Sequence, residues 1–60
     1  MDEIRVMNIV RESNRVLLYG DDKSYHLIAE LNDDVRVGDM VEYEPYGINF
    51  GWFTRVIARP

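Results

Sequence analysis

Val37-Gly38-Asp39-Met40-Val41 is the stretch on which the fold reading turns. Gly-Asp supplies a tight turn, and the residues after it alternate so that Val41 and Tyr43 would point inward from a strand. Ahead of the turn, Asn32-Asp33-Asp34 could cap a helical turn, but too few residues remain before Gly38 for a full helix. Behind it, Pro45-Tyr46-Gly47-Ile48-Asn49 reads as a loop. A short strand with turns at both ends and no helix beside it is the unit of a small β-barrel.

Working outward, the breakers fall at spacings that suit short strands throughout. Residues 4–11 are rich in β-branched types and end at the turn Glu12-Ser13-Asn14. Apolar residues occupy both parities there, so this first strand is either covered on both faces or carries a bulge that changes its facing midway. Residues 15–19 form a second strand, and Gly20-Asp21-Asp22-Lys23 the next hairpin. In residues 24–31, Tyr25, Leu27, Ala29 and Leu31 alternate with His26, Ile28 and Glu30. Residues 40–44 make the fourth strand and 50–58 the fifth, which at about 30 Å is long enough to coil round a barrel and pair at both ends. The expectation is one all-β domain over residues 1–60, five strands in meander order.

Composition limits what such a domain does. Sixty residues bury only roughly 60% of their unfolded surface, leaving little room for an enclosed active site. With no cysteine there is no disulfide framework and no thiolate metal site, and a reducing compartment fits. The start, Met-Asp-Glu-Ile-Arg, lacks the pattern of a signal peptide, and no run is long enough to cross a bilayer; the expected location is cytoplasmic, without a membrane partner. A net charge of −4 opposes non-specific attraction to phosphate backbones. One histidine and two serines, none in a nucleophile setting, point to a non-enzyme without cofactor or metal. Asp21-Asp22 and Asp33-Asp34 fit no calcium-loop pattern and read as solvated turns.

Two small barrels match this layout, the OB-fold, which is favoured, and the Src-homology-3-like barrel. Between about Arg5 and Arg59 the chain carries, in order, Asn14-Arg15-Val16, Gly20-Asp21-Asp22-Lys23, His26-Leu27-Ile28-Ala29-Glu30-Leu31, Val35-Arg36-Val37-Gly38-Asp39-Met40-Val41 and Thr54-Arg55-Val56-Ile57-Ala58-Arg59. On these segments it resembles translation initiation factor 1 of bacteria and its archaeal 1A relatives. The resemblance implies an OB domain of the ribosomal RNA-binding type. The family's basic segment between strands three and four is replaced here by the acidic Asn32-Asp33-Asp34, so a distant relative is implied rather than the factor itself.

On an OB domain the outward face of strands two, three and five is the binding surface. Arg15, Leu17, Tyr19, His26, Ile28, Phe53 and Arg55 would share it. Rings beside guanidiniums suit single-stranded nucleic acid, RNA favoured, since rings stack on bases and cations hold phosphates. The candidate binding residues are Arg15, Tyr19, Lys23, His26, Phe53, Arg55 and Arg59; about three engaged phosphates give a log-affinity slope against log salt near −2. Trp52 is expected to fill the core. Basic residues on strands one, two and five face acids around strand four, so the molecule reads as bipolar. The acidic side suits a protein partner, which makes a protein-interaction module the alternative, and the state is expected to be a monomer or weak homodimer.

Overall fold

The computed structural model describes residues 2–60. Its strands are β1 (Asp2–Arg5), β2 (Asn8–Arg11), β3 (Val16–Tyr19), β4 (His26–Ala29), β5 (Met40–Tyr46) and β6 (Phe50–Ala58). Among the described residues there is no helix. All six strands belong to one curled sheet in the order β1-β5-β6-β4-β3-β2.

Six strands replace the expected five because the first is broken. Ile4 pairs with Val41 of β5, whereas Ile9 pairs with Leu18 of β3, so the two halves serve opposite edges of the sheet. Between them Val6 is fully buried. Ile4 and Val6 share one parity and Ile9 has the other, yet all three pack on the core. The change of facing therefore falls between Val6 and Ile9, which accounts for the mixed parity of the sequence.

The turn before β5 holds this break in place. The Arg36 amide donates to Asp39 Oδ2 at 2.9 Å, and the Asp39 amide donates back to the Arg36 carbonyl at 3.0 Å. Gly38 has φ 99°, a conformation that disfavours residues bearing a Cβ. Its amide donates to the Val6 carbonyl, and the Val6 amide donates to the Asp39 carbonyl, both at 2.8 Å. Asp39 is 1% exposed and sits 3.3 Å from Arg59 Nε. One turn thus ties the broken first strand, the start of β5 and the end of β6 together.

The meander order fails at β6. Instead of following β5 at an edge, β6 lies between β5, antiparallel to it, and β4, parallel to it over Phe50–Trp52. Two irregularities shape its outer half: Tyr43 faces Phe53 but Glu42 faces Arg55, and Val41 faces Val56 but Met40 faces Ala58. Thr54 and Ile57 are the extra residues of these bulges. The core beneath the sheet is Val6, Val16, Leu18, Leu27, Ala29, Val35 and Val41, with Ile4, Tyr25, Tyr43, Phe53 and Val56 packed against it. Val41 and Tyr43 face inward as the alternation after Gly38-Asp39 requires.

Candidate functional site

Strand alternation and cross-strand register build the outer face. Leu17 lies opposite Ile28 and Tyr19 opposite His26. The parallel pairing carries the rows onward, His26 to Phe50 and Ile28 to Trp52. Tyr46 then lies opposite Phe50, and Glu44 opposite Trp52. Five rings from four strands form one contiguous band. Ring centroids are 5.8 Å apart for Tyr19 and His26, and 6.1 Å for His26 and Phe50, which stack at 18°. Phe50 lies 5.3 Å from Tyr46 and 5.8 Å from Trp52, and Tyr46 lies 6.3 Å from Trp52. Tyr46 is 61% and Trp52 47% exposed, so their faces are open to solvent.

Phe53 and Trp52 occupy the faces opposite to those expected from the sequence. Phe53, expected on the outer face, packs against the core opposite Tyr43, and Trp52, expected inside, is outside. Gly51 explains the choice. A Cβ at Gly51 would sit 2.8 Å from the Glu44 carbonyl oxygen, 2.8 Å from Tyr25 Oη and 3.0 Å from the Tyr43 ring. Only glycine fits the crowded inner side at that step, and this turns both neighbours, Phe50 and Trp52, outward. The parity shared by Phe50 and Trp52 was visible in the sequence; the small residue between them was the signal for which parity faces out.

The cations are distributed differently from the expectation. Arg15 Nε bonds Glu12 Oε1 at 2.7 Å across the β2–β3 turn and lines a cleft of about 390 Å³ with Ile28, Trp52 and Thr54. Arg55 is turned outward by the Thr54 bulge and pairs with Glu42 at 3.0 Å. Arg59 is not brought to the band: it bonds the Asp34 carbonyl at 2.7 Å and pairs with Asp34 and Asp39. Arg5 donates to the Gly38 carbonyl, and Arg36 pairs with Asp34. Basic and acidic segments therefore meet instead of forming opposed faces, which corrects the bipolar reading. Lys23, in the β3–β4 turn, is exposed and lines a second groove beyond Tyr19.

Environment shifts a few titrating groups. Burial pushes the Tyr25 hydroxyl above the usual tyrosine value, reinforced by Tyr43 and Asp2; burial, then Asp2, does the same to Tyr43. Tyr25 Oη is buried without a hydrogen-bond partner among the described residues. Ser24 donates its hydroxyl and amide to Asp22, holding that carboxyl below the usual range. No group of three or more His, Cys, Asp or Glu side chains among the described residues is arranged to hold a metal ion. No helix among them is long and apolar enough to cross a membrane.

Comparison with protein-family models, curated proteins and solved structures gives no match.

Proposed function

We propose that the protein is a non-catalytic, cytoplasmic binding module of the OB type that carries single-stranded nucleic acid, RNA favoured, across the aromatic band. The OB reading draws support from β6 lying between β4 and β5 and running parallel to β4: a Greek-key barrel accommodates such a pair, and an all-antiparallel Src-homology-3-like meander does not. The resemblance to initiation factor 1 is then one of distant kinship, since residues 30–33 form a tight acidic turn closed by Asp33 on the Glu30 amide, where that family has a basic segment.

One observation carries the binding reading. Five rings lie side by side across the outer face, with Trp52 about half exposed and Tyr46 more so. Exposed aromatic faces stack on bases of any sequence for about 1 to 3 kcal/mol per base. Arg15 beside Trp52 and Lys23 beyond Tyr19 stand at the two ends of the band, placed for phosphates. Trp52 is the chain's single tryptophan and a built-in reporter. Titration with mixed-sequence single-stranded oligonucleotides at low salt should quench its fluorescence and shift the amides of β3, β4 and β6. Trp52→Ala and Tyr46→Ala should each weaken binding by about 1 to 3 kcal/mol. Both exposed sites should leave urea stability within about 0.5 kcal/mol. Silence of both fluorescence and amide shifts sinks the proposal.

A second reading has its own observation. Arg15, Arg36, Arg55 and Arg59 are already paired with carboxylates, and the net charge is −4, conditions under which an aromatic face suits a protein partner. Recovery of one defined protein after nuclease treatment of a pull-down favours that module; recovery of nucleic acid alone counts against it.

A further inference from the structure

Past Tyr19 the outer face opens into a groove of about 570 Å³ lined by Met7, Asn8, Val10, Tyr19, Asp21 and Lys23. Its volume lies within the range of small-ligand clefts, and it continues the aromatic band at its Tyr19 end. We infer that this groove is a guanine-selective base pocket, an inference that rests on the nucleic-acid reading above.

Each lining group has its own interaction left to offer. Met7 and Val10 are exposed apolar side chains, and with the Tyr19 ring they provide walls for a flat heterocycle. The two aspartates of the hairpin differ in use. Asp22 accepts from the Ser24 amide at 2.9 Å and the Ser24 hydroxyl at 2.6 Å, which shapes the turn. Asp21 makes no hydrogen bond or ion pair among the described residues, so its carboxylate is a free double acceptor on the groove. Asn8 Oδ1 accepts from the Ile9 amide at 3.0 Å, leaving Nδ2 as the donor end of that side chain. Lys23 adds an ammonium without a carboxylate partner among the described residues, suited to a phosphate.

A carboxylate on a nucleic-acid path repels phosphates unless a base supplies donors to it. Of the four bases only guanine presents two adjacent donors, N1–H and N2–H, on its Watson–Crick edge, with the O6 acceptor next to them for an amide N–H. Adenine and cytosine would set a ring-nitrogen acceptor against the carboxylate, and uracil offers one donor between two carbonyls. An unstacked single-stranded base is free to present that edge.

The test uses the full chain and four uridine pentanucleotides whose central base is guanine, adenine, cytosine or uracil, followed by Trp52 fluorescence and by the amide resonances of Asn8 and Asp21. The guanine oligonucleotide should bind tighter by about tenfold, the order expected of one good bidentate base contact. Asp21→Asn should bring the guanine-to-uracil affinity ratio close to one, because an amide no longer accepts two donors. Loss of charge alone would tighten all four together and leave the ratio unchanged. Trp52→Ala should weaken all four alike. Equal wild-type affinities, or a guanine preference that survives Asp21→Asn, overturns the pocket and leaves the band; failure of all four to bind overturns both.

Discussion

Gly51 is where the face of the molecule is decided, and its surroundings make the decision measurable. A methyl group there meets the Glu44 carbonyl oxygen, which is backbone, and Tyr25 Oη, which is the end of a side chain. Gly51→Ala should therefore destabilise the fold by about 1 to 3 kcal/mol, the usual cost of forcing extra volume into a packed site. Tyr25→Phe should behave oppositely. Its hydroxyl is buried without a hydrogen-bond partner among the described residues, so removing it should be neutral or stabilising by up to about 1 kcal/mol in urea denaturation. The two changes should couple: Tyr25→Phe relieves part of the Gly51→Ala clash, while the Glu44 carbonyl keeps the rest in place. A Tyr25→Phe variant that loses more than about 1 kcal/mol would show that the hydroxyl is bonded after all.

At the scale of elements, the Arg36 to Asp39 turn and the break at Val6 are one structure. Asp39→Ala removes both the bond from the Arg36 amide and one of the two carboxylate partners of Arg59, and should cost about 1 to 3 kcal/mol in urea denaturation. Asp39→Asn keeps an oxygen for the Arg36 amide and should cost less; equal losses would mean that the charge, and not the turn, matters. This turn was legible in the sequence because Gly-Asp chemistry is local: a positive φ and a side-chain cap need only neighbouring residues. So were the strands around β3, β4 and β5, with their clean alternation and turn residues. The order of β6 was not, since parallel pairing with β4 is long-range and leaves no local mark. Facing in β6 was lost for a similar reason. Phe53 and Arg55 share a parity, and only the bulge at Thr54 sends one inward to Tyr43 and the other outward to Glu42. Tyr19 and His26 were placed correctly because no bulge intervenes in β3 or β4; Tyr46, Phe50 and Trp52 joined them through pairings that the sequence does not print.

For the whole molecule, the pairing of arginines with carboxylates sets how the proposed binding of a nucleic-acid strand should respond to salt. Arg59 is committed to Asp34 and Asp39, and Arg55 to Glu42, so neither is free for a strand on the band without breaking a contact. Arg15 and Lys23 remain at its ends, the first in an exposed pair of the kind that contributes little and opens readily. Two phosphates engaged at about −0.7 each predict a slope of log affinity against log salt near −1.4, shallower than the −2 expected from about three engaged phosphates. The net charge of −4 acts in the same direction, because salt also screens the repulsion between the protein and the polyanion. Affinity would then come mainly from stacking, and Trp52→Ala should lower it by the same factor at low and high salt while leaving the slope unchanged. Lys23→Ala should instead reduce the slope by about 0.7. A measured slope steeper than −2 would mean that the Glu42 and Asp34 pairs open to release their arginines, and that the strand runs along β6 toward Arg59 instead of across the rings.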